Sequence, residues 1–214
     1  MKRQLTVSAA ALATVLALAG CATGESGTQS PEQTSAATSA TSAAEVSAEH
    51  NDADTMFAQM MIPHHQQAVQ MSEIMLSKED LDPKITDLAT KIKEAQGPEI
   101  ERMTGMLQAW GQPSMMPSQS AGMDGHELPG MASEEAGMEG MMSEEDLAQL
   151  EAAQSTEAAK LFLTQMIAHH EGAVKMAEQE MEQGSNPQAV ELARTIVTDQ
   201  EGEITEMRDL LKAL

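Results

Sequence analysis

An internal repeat is the feature that most constrains what this chain can fold into. The stretch MMIPHHQQAVQM at residues 60–71 returns as QMIAHHEGAVKM at 165–176. A second pair of stretches aligns from Pro83 with Pro187 through Leu107 with Leu211. Because the two halves share one pattern, they are expected to share one fold and to bury their apolar faces against each other.

The apolar positions of the first repeat have helical spacing. From Phe57 to Met75 they recur every three or four residues, as on one face of a helix. The segment KEDLDP then predicts a break, with Asp82 as N-cap and Pro83 at the first position of a second helix that ends near Gly111. Residues 52–111 therefore predict a helical hairpin, and residues 147–214 predict its counterpart.

Aromatic residues are too few for a sheet-based core. The chain has two Phe, one Trp and no Tyr among 214 residues, so Leu, Ile, Val, Ala and Met must fill its interior. Two hairpins packed face to face would share one core. We therefore predict an all-α fold, a four-helix bundle formed by residues 52–214 as one domain.

The N-terminus is typical of an export signal. Residues 1–20 have a basic start, an apolar stretch and small residues before Cys21, the only cysteine. Leu18-Ala19-Gly20-Cys21 resembles the bacterial lipobox, which implies lipidation at Cys21 and a lipoprotein on the extracytoplasmic face of the cell membrane. Residues 21–51 are rich in Ser, Thr and Ala and predict a flexible tether.

Residues 112–146, between the hairpins, are rich in Gly, Pro, Ser and Glu and predict a disordered connection. Such a segment buries no core, so its methionines need another explanation. Three remain open: binding of a soft metal, scavenging of oxidants through sulfoxide formation, and drift of a low-complexity sequence. The candidates in this loop are Met115, Met116, Met123, His126, Met131, Met138, Met141 and Met142.

The paired histidines are the main candidate metal ligands. Imidazole nitrogen with thioether sulfur one turn away, and no carboxylate among them, suits Cu(I) or Ag(I) better than a hard cation. Adjacent helical residues differ by about 100°, so His64 is predicted to face the interior and His65 a flanking surface. The candidates are His64, His65, His169, His170, Met60, Met61, Met71, Met75, Met166 and Met176, with Met103 and Met207 as a second set. For a single helical histidine, a buried hydrogen-bonded side chain would be the simpler interpretation.

Other metal sites fit the sequence less well. A carboxylate di-iron site needs Glu-x-x-His motifs, which this chain lacks. Zinc bound by His and Glu stays open. Glu99 and Glu203 could be ligands or could orient a histidine, but the interpretation slightly favoured is that they lie in water at the edge of the apolar stripe, together with Gln96 and Gln200.

Charge and motifs limit the function classes. The formal charge is −22, which argues against a nucleic-acid partner and favours cations, or serves solubility alone. No nucleophile elbow or acid/base constellation indicates an enzyme. Binding of copper for sequestration, tolerance or hand-over to a copper-handling protein is the favoured function. A structural or adaptor lipoprotein and a metal-dependent oxidase are the alternatives.

The two Met-Ile-x-His-His motifs, each followed by Gln-x-x-Glu-Ile on the next helix, resemble a bacterial secreted family, domain of unknown function 305. The resemblance covers residues 53–111 and 147–214. It implies a ferritin-like four-helix bundle outside the cytoplasm and an association with copper. The family motif falls on Met61, His64, His65 and Met71 and on Met166, His169, His170 and Met176. Met75 has Glu180 as its counterpart, so the resemblance does not imply two identical sites.

Overall fold

In the described part of the chain, residues 46–114 and 139–214 of a computed structural model, all regular secondary structure is α-helical. It contains α1 (Asp52–Leu76), α2 (Pro83–Ala109), α3 (Glu144–Ala152), α4 (Ser155–Gln183) and α5 (Pro187–Ala213). The predicted all-α class is confirmed. None of these helices is long and apolar enough to span a membrane.

The helices begin where side chains can cap them. Asn51 is the N-cap of α1, and Asp54 completes a capping box with it. Asp82 caps α2 and Asn186 caps α5, each followed by proline at the first helical position. The two halves of the repeat therefore use the same start signal for their second helix.

Each long helix packs against its sequence neighbour, α1 against α2 and α4 against α5, and α1 also contacts α4. The short α3 was not predicted as a separate helix. Ser143 caps it in a second capping box with Asp146, and it packs on both α1 and α4. Lys78 at the end of α1 donates to the carbonyls of Glu151 and Ala153, which fixes the C-terminal end of α3.

Two separate apolar clusters form the core. The Trp110 cluster has the following buried members: Phe57, Ala58, Met61, Ile62, Met103, Met106, Leu107, Trp110, Ala173, Met176, Ala177, Ala189, Leu192, Ala193 and Ile196. The Phe162 cluster has these: Ala68, Met71, Met75, Ile85, Leu88, Ala89, Ile92, Leu150, Ala158, Ala159, Phe162, Leu163, Met166, Ile204 and Met207. Both hairpins contribute to both clusters.

Every long helix passes from one cluster to the other near its middle. Helix α1 leaves the Trp110 cluster after Ile62 and joins the Phe162 cluster at Ala68, whereas α4 runs in the opposite sense. The residues at the crossing points are polar and form what we call the histidine layer: His64, His65, Gln96, Glu99, His169, His170, Gln200 and Glu203. This layer separates the two halves of the core.

A buried carboxyl pair lies beyond the Trp110 cluster. Asp54 is 0% exposed and Glu180 is 2% exposed. Asp54 accepts hydrogen bonds from the backbone amides of Asn51, Ser185 and Asn186. Burial, together with the hydrogen bond and the charge of Asp54, raises the pKa of Glu180 to about 9. Burial alone would raise the pKa of Asp54, but its hydrogen bonds outweigh burial and lower it.

This pair predicts a dependence of stability on pH. Between pH 4.5, the ordinary pKa of Glu180, and about 9, the folded protein holds a proton that the unfolded chain releases. Stability from this group therefore falls as pH rises through that range. In Glu180→Gln we expect the melting temperature, relative to wild type, to rise by about 5 °C or more between about pH 5 and pH 9. Glu178→Gln, an exposed neighbour, is the control, and parallel melting curves for wild type and Glu180→Gln would contradict the assignment.

Candidate metal centre

All four paired histidines are buried in the histidine layer. His64 and His169 are each 1% exposed, and His65 and His170 are each 0% exposed. The prediction that His65 faces a flanking surface is therefore wrong. The 100° between neighbours on α1 turns His65 toward α2, where it meets Glu99, while His64 meets His169 of α4. Both directions are covered by another helix.

The rings of His64 and His169 are in direct contact. Their centroids are 3.7 Å apart and their planes are inclined by 37°. Neither ring nitrogen of either residue makes a hydrogen bond of normal length and angle within the described residues, although the Glu139 backbone interacts with His64. A buried donor or acceptor without a partner costs about 1–3 kcal/mol, so this contact is held at a cost to stability.

The other two histidines are each oriented by a glutamate. His65 Nε2 lies 2.8 Å from Glu99 Oε2, and His170 Nε2 lies 2.8 Å from Glu203 Oε2. An imidazole that donates from Nε2 keeps a lone pair on Nδ1, and Nδ1 of both residues has no partner in the described chain. The interpretation of Glu99 and Glu203 as solvated edge residues is corrected: they hold the histidines in a fixed tautomer and orientation, as metal sites commonly require.

The same correction applies to the two glutamines one turn earlier. Gln96 is 2% exposed and Gln200 is 3% exposed, so neither lies in water. Both amide atoms of each lack a partner within the described segments. The sequence did contain the signal, since Gln-x-x-Glu recurs at the same place in both repeats. What it did not show is that a facing helix covers this edge of the stripe.

Burial keeps the central imidazoles neutral. It lowers the pKa of His64 to about 3, aided by the charges of His65 and His170 and opposed by the Glu139 backbone. Burial also lowers the pKa of His169 well below the ordinary value, and that of His170. Neutral imidazole is the metal-binding form. Protonation, which in an ordinary imidazole would compete with a metal below about pH 6, is therefore shifted to lower pH at His64.

Thioethers lie on both sides of the histidine layer in two equivalent sets. Met61, Met103 and Met176 belong to the Trp110 cluster. Their counterparts in the repeat belong to the Phe162 cluster, namely Met166, Met207 and Met71. Each set contains one methionine from residues 60–71, one from residues 165–176 and one from α2 or α5. The repeat shows which methionines correspond to each other in sequence. Only the opposite directions of α1 and α4 in the structure show which of them lie in the same cluster.

The remaining candidates are less central. Met60 packs at the edge of the Trp110 cluster and Met75 lies inside the Phe162 cluster. Met141 is half-buried, and Met142 packs at the edge of the Phe162 cluster. Several candidates lie outside the described residues: Cys21, Met115, Met116, Met123, His126, Met131 and Met138.

The donor set is nitrogen and sulfur. Between residues 46 and 114 and between 139 and 214, no three His, Cys, Asp or Glu side chains converge on a position where they could hold a metal ion by themselves. The atoms of the layer that lack partners are six imidazole nitrogens and the amide atoms of Gln96 and Gln200, and methionines belong to the apolar cluster on either side of the layer. Imidazole with thioether is a soft set that favours Cu(I) over Mg²⁺ or Ca²⁺.

Comparisons with known proteins agree with the all-α fold and with the family resemblance. The family described as "domain of unknown function (DUF305)" matches residues 54–211. A DUF305 fragment from Deinococcus radiodurans is 33% identical, with 77% of this chain and 98% of the fragment covered and a TM-score of 0.64. A DUF305 protein from Streptomyces coelicolor, whose own description proposes secretion, is 32% identical, with 75% and 91% covered and a TM-score of 0.65.

A third solved structure is that of CopM in its Cu(I)-bound form. It is 30% identical, with 75% of this chain and 96% of CopM covered and a TM-score of 0.57. CopM has also been solved in Cu(II)-bound and Ag-bound forms and in an apo form. No protein with curated annotation matches this chain.

Proposed function

This chain belongs to the DUF305 family, and on that premise we propose that it is an extracytoplasmic copper-binding protein that holds Cu(I), or its analogue Ag(I), in the histidine layer. The observation that carries the proposal is the group of buried imidazole nitrogens without partners, bounded on both sides by equivalent thioethers. A related structure, CopM, is known with Cu(I) and with silver.

In this proposal, the histidines and methionines have different roles in metal binding. His64 and His169 supply nitrogen at the centre, and Nδ1 of His65 and His170 is presented by Glu99 and Glu203. The two thioether sets supply sulfur from either side. Binding, storage and hand-over of Cu(I) are the roles proposed.

The proposal includes the predicted location and architecture. Lipidation at Cys21 would anchor the protein to the extracytoplasmic face of the membrane, with residues 21–51 as the predicted tether. The end of this segment is held on the helices, because Val46 packs against the Trp110 cluster and the Ser47 carbonyl accepts hydrogen bonds from Trp110 Nε1 and Asn186 Nδ2. The four long helices would form a ferritin-like bundle, which the two shared apolar clusters support. The loop methionines at residues 115–142 would collect Cu(I) for the histidine layer.

Titration of metal-free protein with Cu(I) against a chromogenic competitor tests the function. We expect tight Cu(I) binding that changes less than about threefold between about pH 7 and pH 5, because burial lowers the pKa of His64 to about 3. Zn(II) in the same assay should compete poorly, because the carboxylates of the layer, Glu99 and Glu203, are already paired with His65 and His170 and leave a soft set of nitrogen and sulfur donors.

Three outcomes would contradict the proposal. Tight Zn(II) binding with weak Cu(I) binding would indicate a zinc protein. Purified protein from copper-supplemented cells that contains neither copper nor zinc would favour a structural or adaptor lipoprotein. Continuous consumption of Cu(I) and oxygen by the protein would indicate an oxidase.

A further inference from the structure

We propose that residues 139–143, which we call the strap, form a gate over the histidine layer and set how fast Cu(I) enters and leaves it. The inference deepens the proposed function and rests on it for the identity of the cargo. It is carried by a closed geometry at the centre of the layer and by two contacts that hold the strap across α1 and α4.

The centre of the layer is closed. Two imidazoles that bind one ion place a nitrogen about 2 Å from it on either side. The rings of His64 and His169 instead touch, with centroids 3.7 Å apart, so no ion fits between them. Loading therefore requires the rings to turn or move apart, and whatever lies over this turn must yield.

The strap lies over this turn on the α4 side. A Cβ placed on Gly172 would clash with the Glu139 carbonyl oxygen and would lie 3.2 Å from the Gly140 Cα. A Cβ on Gly140 would lie 3.1 Å from the His169 carbonyl oxygen. Gly140 also has a φ of +84°, which favours glycine. Both glycines are thus required for the strap to approach the backbone of the second HH motif. Lys175 adds an ion pair to Glu139.

On the α1 side, the strap is held by a side chain. Gln67 Nε2 donates to the Met142 carbonyl at 2.8 Å, and the Met142 amide donates to Gln67 Oε1 at 2.7 Å. Gln67 and Gly172 occupy the same position of the repeat, three residues after His64 and His169 respectively. Gln67 in the first repeat therefore binds the strap, and Gly172 in the second repeat leaves space for it. A single segment thus covers both HH motifs.

Two variants open the gate by different means. Gly172→Ala introduces the clashing Cβ, and its control is Gly202→Ala, where a Cβ would meet nothing within 4 Å. Gln67→Ala removes both hydrogen bonds to Met142, and its control is Gln66→Ala, an exposed neighbour. Gln67→Ala leaves every proposed ligand in place, so it carries the test even where Gly172→Ala does not fold.

The first readout needs no metal. In metal-free protein we expect diethyl pyrocarbonate to modify His64 and His169 about tenfold faster in both opening variants than in their controls. The second readout is the transfer of Cu(I) from loaded protein to a chelator. We expect transfer to be about tenfold faster in the opening variants, with a smaller change in equilibrium affinity because the ligands are unchanged.

The outcomes separate the gate from the function. Equal modification and equal transfer rates in all four variants, with tight Cu(I) binding, would overturn the gate and leave the function standing. Faster histidine modification in the opening variants, with no Cu(I) binding in any protein, would support the strap as a cover and overturn the proposed function.

Discussion

Replacement of both His64 and His169 by Leu is expected to lower Cu(I) affinity by about a hundredfold or more. Loss of groups that only support a metal ligand typically costs 10- to 100-fold in affinity, and these two side chains are proposed ligands themselves. The measurement is Cu(I) titration against a chromogenic competitor. His50→Leu is the control, because His50 stacks on Trp110 away from the layer, with ring centroids 4.8 Å apart.

The same double variant is expected to be more stable than wild type when both are metal-free. Leu has a similar size and removes four buried ring nitrogens that lack partners, so the gain should be about 2 kcal/mol or more, or about 5 °C in melting temperature. The gain should grow in acid. Below pH 6.5 the unfolded wild-type chain binds a proton at His64, whereas folded His64 stays neutral because burial lowers its pKa to about 3. Acid therefore destabilises wild type at this position but not the double variant.

A double variant with lower Cu(I) affinity and higher metal-free stability would show that the layer is a binding site maintained at the expense of stability. A variant that binds Cu(I) within about threefold of wild type would show that these histidines are not ligands. A metal-free double variant that melts well below wild type would show that the contact is structural instead.

The second large effect concerns the thioethers. We expect replacement of Met61, Met103 and Met176 by Leu to remove about half of the tight Cu(I) capacity, because these residues supply sulfur on one side of the layer only. Replacement of their counterparts Met71, Met166 and Met207 should remove a similar share. Met-to-Leu changes conserve volume, so each should cost less than about 1.5 kcal/mol of stability.

Met106→Leu is the matched control for this series. Met106 is 2% exposed in the Trp110 cluster, but its counterpart in the repeat is Leu210, so it belongs to neither equivalent set. The readout is the number of Cu(I) ions bound per chain in the competitor titration. Loss of all capacity on removal of either set would point to one shared site, and unchanged capacity would show that the sulfur atoms serve packing alone.

Local signals and the repeat made the four long helices predictable, whereas α3 lies outside the repeat and was not predicted. Pro83 and Pro187 start α2 and α5 because proline fits the first helical position, and the four HH residues were found from their recurrence. The single proline of the first HH motif, Pro63, lies inside α1.

Contacts between helices were not predictable from periodicity. An apolar stripe shows which residues face a partner, but not that a second partner covers the edge of the stripe. For that reason His65, Gln96 and Glu99 were expected nearer to solvent than they lie. The strap depends on Gln67 and Gly172, and their sequence difference gains meaning only once α1 and α4 lie side by side.

Each long helix contributes to both apolar clusters, and this limits how the molecule could be divided into parts. A single hairpin, such as α1 with α2, contributes half of the Trp110 cluster and half of the Phe162 cluster and completes neither. Two copies of one hairpin related by a twofold axis would complete both, as the subunits of a symmetric dimer do. The polypeptide thus resembles a dimer whose subunits are joined in one chain, with both halves contributing to the histidine layer and with the strap and α3 present in one copy only.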